Sequence, residues 1–116
     1  MRHIESSIQK GFITAFRHQY GNLSGLLFAI PNGGKRNKIT AAIMKSEGVL
    51  AGVADIMLAV PSDKWHGLFL ECKSPDGKMS EHQEAFRQQV EAQGYCYVIF
   101  RSAEQGLRLV KEYLKS

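Results

Sequence analysis

Val53-Ala54-Asp55-Ile56-Met57-Leu58-Ala59-Val60 and, beyond the turn-like Pro61-Ser62-Asp63-Lys64, Leu68-Phe69-Leu70-Glu71-Cys72-Lys73 are the stretches from which the fold of this chain is read. Both are short, apolar and β-compatible, which predicts two neighbouring strands. Each run also carries charge, Asp55 in the first and Glu71 with Lys73 in the second. A charge inside an apolar strand is unfavourable unless it is paired or bound to a metal. Side chains alternate along a strand, so Glu71 and Lys73 share one face while Cys72 turns to the other. If the two strands form a hairpin, Asp55 lies near Glu71 on that face. Two close carboxylates suit a hard divalent cation such as magnesium, which lowers the pKa of its water and shields phosphate charge. With an ammonium beside them they are the minimum for metal-assisted phosphodiester hydrolysis. A solvated Glu71 and Lys73 pair on an edge strand would have the same spacing, so the neighbouring segments decide between the two.

Upstream, Ile4, Ile8, Phe12, Ala15, Phe16 and Gln19 recur at three- and four-residue spacing and predict an amphipathic helix from about 3 to 20, ended by Gly21. Leu26 to Ile30 reads as a short strand stopped by Pro31. Asn37 to Glu47 reads as a second helix with Ile39, Ala42 and Ile43 inward, ending at Gly48. Downstream, Ser80-Glu81-His82-Gln83 is a capping box that opens a helix to about Gln93. Tyr95 to Arg101 is then a strand and Ala103 to Leu114 a closing helix. The order αβαββαβα implies an α/β fold, a mixed central β-sheet flanked by helices.

The chain has 116 residues, 44% of them hydrophobic, which suits one domain spanning 1–116. Cys72 and Cys96 lie in apolar runs, pointing to buried thiols in a reducing compartment. No apolar run approaches the ~20 residues needed to span a bilayer, and no signal-peptide hydrophobic region is visible, so a soluble cytoplasmic protein without a membrane partner is expected. His3, His18, His66 and His82 have no metal-ligand spacing and are expected at the surface or an interface. Trp65, beside the turn, is read as shielding one end of the sheet rather than stacking on a base. Tyr95, Tyr97 and Phe100 read as strand and core residues.

The net charge is +4, and Lys35, Arg36, Lys38 and Lys45 cluster before Gly48. Asn32-Gly33-Gly34 would allow close backbone approach to a phosphate, with Lys35 and Arg36 adding charge next to it. An ordinary glycine turn with a solvated charged flank is the plain alternative.

Taken in order, Glu5, Asn32-Gly33-Gly34-Lys35-Arg36, Gly52-Val53-Ala54-Asp55, Glu71-Cys72-Lys73 and Gln83 make the chain resemble a stand-alone VRR-NUC domain, of phage or prophage type, within the PD-(D/E)xK nuclease superfamily. The family usually has proline immediately before the aspartate, where this chain has Ala54; that proline shapes backbone and ligates nothing. The resemblance implies a restriction-endonuclease-like fold and a magnesium- or manganese-dependent endodeoxyribonuclease. It places the metal on Asp55, Glu71 and the main-chain carbonyl of Cys72, and gives Lys73 the task of orienting or helping to deprotonate the attacking water. Glu5 becomes a candidate ligand or water-orienting carboxylate, although alone it would be a solvated residue favoured by the helix dipole, with Gln9 one turn on to support it. Gln83, which a capping box already explains, acquires a role positioning Lys73 or the water. Asn32, Lys35, Arg36 and Lys38 become DNA-binding candidates. Small stand-alone members resemble homodimeric resolvases of branched DNA such as the Holliday junction, placing the protein in the cytoplasm of a bacterium or a phage-infected host cell. A restriction- or repair-type nuclease on duplex or flap DNA would keep the same site, and a non-catalytic DNA-binding module would keep only the basic cluster.

Overall fold

Hydrophobic alternation and capping residues set the order of elements. The structure, a computed structural model, describes residues 2–31 and 37–116, so Asn32, Gly33, Gly34, Lys35 and Arg36 lie outside the described residues. Helix α1 spans Arg2–Gln19, strand β1 Leu27–Ala29, helix α2 Lys38–Ser46, β2 Ile56–Leu58, β3 Leu68–Cys72, α3 Glu81–Ala92, β4 Cys96–Phe100 and α4 Ala103–Lys115. A 3-10 helix, Gly21–Leu26, fills the link after α1 and was not signalled by the sequence. Its backbone bonds are local, and no apolar period marks so tight a turn.

Sheet order is β1-β2-β3-β4, with β1 and β2 and also β2 and β3 antiparallel, and β3 and β4 parallel. The parallel step needs a crossover, which α3 supplies. One face of the sheet is covered by α1 and α4. There Phe12 and Phe16 meet Leu58, Leu70, Phe100 and Val110 in the buried core, with the Phe12 and Phe100 rings 4.7 Å apart. On the other face α3 packs Phe86 against Phe69 at 5.2 Å. Trp65 packs against the edge of the core, as its position beside the turn suggested. Among the described residues no helix is long and apolar enough to cross a membrane.

Two expectations need correction. The predicted strand over 53–60 is regular only at Ile56–Leu58, although Ile30 N–H donates to Asp55 O at 2.7 Å and Ala59 N–H to Leu26 O at 2.9 Å, continuing the pairing with β1 on both sides. Ile39, Ala42 and Ile43 do not point inward: α2 has no buried residue, and Ile39 is 74% and Ile43 52% exposed. Helix α2 starts from its own cap, Asn37 accepting from Thr40 N–H at 2.7 Å. Periodicity groups residues on a face, but it does not say what that face meets.

Candidate active site

The register of the hairpin creates the site. Ile56 pairs with Leu70 and Leu58 with Leu68, so one step further Asp55 stands opposite Glu71, on the face away from the α1 and α4 core. Asp55 sits one residue before β2 begins, and its Oδ2 accepts the Cys72 N–H at 2.8 Å, replacing a ladder bond with a side-chain bond. Burial raises the Asp55 pKa, opposed first by that Cys72 bond, while Glu5 adds repulsion. Glu71 is 1% exposed, and its carboxyl is pushed from 4.5 up to about 7, first by burial and then by the charge of Asp55. Desolvation and like charge both disfavour the anion, so this pair lacks positive charge.

Lys73 supplies part of it. Its Nζ lies 3.4 Å from Glu71 Oε2 and donates to Gln83 Oε1 at 2.8 Å. Gln83 Nε2 donates in turn to Glu71 Oε2 at 2.7 Å, bridging the carboxylate and the ammonium. The same Gln83 Oε1 accepts Ser80 N–H at 2.8 Å and Ser80 Oγ accepts Gln83 N–H at 3.2 Å. The capping box is therefore real, and it orients the amide that joins the two charged groups.

Glu5, in the first turn of α1, approaches from the opposite layer, with Oε2 accepting Ser74 N–H at 3.3 Å. The Cys72 thiol turns the same way and donates to Glu5 O at 3.4 Å. Burial, then Asp55, pushes that thiol up to about 12, and with the thiol directed to Glu5 O it is the main-chain carbonyl that Cys72 could offer a cation. Glu5, Asp55, Glu71, Lys73 and Gln83 all line one cleft of about 820 Å³ between the N-terminal turns of α1 and α3. Gln9, Lys10, His3 and His82 also line it. The two histidines are surface residues, as expected, but they line this cleft.

Among the described residues no three His, Cys, Asp or Glu side chains make a metal shell by themselves. Asp55 and Glu71 could give two oxygen ligands, a set that would suit magnesium, which commonly takes one or two carboxylates and leaves other positions to water and phosphate. Of the basic residues, Lys38 is exposed at the start of α2, away from the cleft lining. Asn32, Lys35 and Arg36 lie outside the described residues.

Tyr97 was read from sequence only as a core residue. Its hydroxyl lies 3.4 Å from Glu71 Oε1, and burial raises its pKa. The parallel register pairs Tyr97 with Phe69, two residues before Glu71 on the same face. No short-range pattern carries that information, because β4 follows a whole helix after β3.

The VRR-NUC domain family profile matches residues 5–104. A solved structure described as a VRR_NUC domain protein aligns with a TM-score of 0.82 at 21% identity, over 95% of this chain and 87% of that chain, a likeness of fold. No curated protein matches the chain.

Proposed function

The chain belongs to the VRR-NUC domain family, a family of DNA-acting nucleases, and from that premise we propose a magnesium- or manganese-dependent endodeoxyribonuclease of the PD-(D/E)xK type, residues 1–116 forming one such domain. The observation that carries the reading is the pair of opposed carboxylates, half-buried Asp55 held by the Cys72 N–H and buried Glu71 joined to Lys73 through the Gln83 amide. Asp55, Glu71 and the Cys72 carbonyl would hold the cation. Such an ion polarises a phosphodiester oxygen and lowers the pKa of water.

The side chains then divide the remaining work. Lys73, steered by Gln83, would orient or help deprotonate the attacking water and offset charge in the transition state. Glu5, from the facing wall, would order that water or complete the ligand set. Asn32, Lys35, Arg36 and Lys38 would grip the backbone phosphates. A non-catalytic DNA-binding module has no use for a buried Glu71–Gln83–Lys73 chain, since burying charge without purpose is destabilising.

The substrate would be branched DNA, with a homodimer making paired nicks in a four-way junction. Two cuts at symmetry-related positions need two sites on a two-fold axis. Support comes from α2, whose Ile39 and Ile43, with Leu50 at 57% exposed just beyond it, leave apolar surface open to a second copy. The test is cleavage of end-labelled duplex, flap, single-stranded and four-way-junction DNA in magnesium or manganese, with light scattering at assay concentration. Preferred junction cutting by a dimer is expected. A monomer that cuts linear duplex or flaps as fast would replace the resolvase reading with a restriction- or repair-type one, and no cutting of any DNA would remove the nuclease.

A further inference from the structure

Lys73 is followed at once by the turn Ser74-Pro75-Asp76-Gly77, closed by Gly77 N–H donating to Ser74 O at 3.0 Å. From beyond the end of β4, Arg101 Nη1 donates to Ser74 O at 2.7 Å and to Gly77 O at 2.8 Å, with Pro75 O at 3.4 Å. Arg101 is itself anchored, its N–H donating to Gln105 Oε1 at 2.7 Å in the first turn of α4. The opposite side of the turn faces the site: Ser74 N–H donates to Glu5 Oε2. A Cβ placed on Gly77 would lie 3.4 Å from Glu5 Oε2 and 3.4 Å from Lys73 Cδ, so the turn is in close packing with both. The turn is a wedge with Arg101 behind it and Glu5 in front.

Arg101 does not line the cleft. Among the described residues the ion pairs join Lys73 to Glu71 and Arg87 to Glu91, so the charge of Arg101 is directed to backbone carbonyls. A charged donor holding two carbonyls at short range fixes a turn more firmly than the turn's own single bond. Lys73 keeps an independent anchor, its N–H donating to Phe100 O at 3.0 Å. Glu5, on the first turn of a helix, has in Ser74 N–H the bond that sets its carboxylate.

We propose that Arg101 is a positioning residue, which sets the Glu5 carboxylate in the cleft through the Ser74–Gly77 turn without touching DNA. The proposal rests on the nuclease reading for its effect on rate, but not for its effect on the turn. The experiment is a double-mutant cycle of Arg101→Gln with Glu5→Gln, with Arg101→Lys as the conservative variant. It is read by kcat and KM on the best DNA substrate and by amide hydrogen exchange at Ser74 and Gly77. Arg101→Gln should lower kcat on the order of tenfold with KM nearly unchanged, and should add nothing once Glu5 is Gln. Arg101→Lys, which can still donate to one carbonyl, should recover part of the rate and carries the cycle if the Gln variant does not fold. Ser74 exchange should quicken about tenfold in both single variants. Losses that multiply in the double variant, or Ser74 exchange unchanged without Arg101, would overturn the proposal. A wild-type protein that cuts no DNA removes the nuclease reading alone and leaves the exchange result to decide the role of Arg101 in the turn.

Discussion

Gly52→Ala tests whether the loop before Asp55 and the first turn of α3 are fitted to each other. Gly52 has φ +90°, and a Cβ there would lie 2.4 Å from both the carbonyl carbon and the oxygen of His82. Gly48 has φ +104° with open space around it, so Gly48→Ala meets the backbone penalty without the clash. A left-handed alanine is destabilising by about 1–2 kcal/mol, and forcing a methyl into a filled space adds about 1–3 kcal/mol. Gly52→Ala should therefore lose about 2–5 kcal/mol and Gly48→Ala about 1–2 kcal/mol. At about 4 °C per kcal/mol for a domain of this size, thermal melts should separate the two variants clearly. Relief of the clash requires His82 to retreat by about 1 Å, and Gln83 moves with it, loosening the bridge from Glu71 to Lys73; a shift of that size can lower catalysis about 10²-fold. Cleavage assayed well below the melting temperature should show this loss for Gly52→Ala and not for Gly48→Ala. Equal melting temperatures and equal rates for the two would refute the close fit of the loop to α3.

Asp55→Ala and Glu71→Ala should each abolish cleavage in magnesium or manganese while circular dichroism and much of the DNA affinity persist; undiminished cutting by either would sink the proposed centre. Lys73→Met should lower kcat by at least about 10²-fold with little change in DNA affinity, and a larger effect on affinity than on rate would contradict its assigned role. Lys35→Ala combined with Arg36→Ala should weaken binding measured in calcium and reduce the slope of log affinity against log salt by nearly two, because each lost phosphate contact removes about 0.9; an unaltered slope would place the phosphate grip elsewhere. In the metal-free protein, Glu71, raised from 4.5 to about 7, holds its proton more tightly folded than unfolded. Its contribution to stability is complete below the unfolded value and is lost as pH rises through about 7, so melting temperature should fall from about pH 5 to about pH 8 and magnesium should restore it at the upper end. A melting temperature indifferent to both pH and magnesium would argue against a cation between these carboxylates.

Much of the architecture was legible because its signals are local. Ser80 and Gln83 announce the start of α3 by a capping box, and Gly94 with φ +92° marks the turn after it. That Asp55 would lie near Glu71 on one face followed from alternation if the two runs formed a hairpin, and the register of Ile56 with Leu70 sets the two opposite each other. What stayed hidden depends on contacts between distant segments. The bond from Cys72 N–H to Asp55 Oδ2 goes with a β2 that starts only after Asp55, and Tyr97 reaches Glu71 only through a parallel pairing across α3. The exposed side of α2 was misassigned for the same reason: Ile39 and Ile43 share a face whatever that face meets.

Strand β3 shows why stability and chemistry can share so small a sheet. Leu68, Leu70 and Cys72 are buried toward α1 and α4, while Phe69, Glu71 and then Lys73 face α3. The first face is apolar and closed by Phe12, Phe100 and Val110, so it can hold the strand in place without help from the second. The second face is then free to carry two carboxylates that repel each other and an ammonium that only partly offsets them. A substitution that neutralises one member, such as Glu71→Gln, should leave the metal-free fold at least as stable at neutral pH, because it removes a buried charge from a site short of positive charge. If Glu71→Gln instead destabilised the metal-free protein as strongly as a core truncation such as Leu70→Ala, the carboxylate would be serving the fold, and the division between the two faces would not hold.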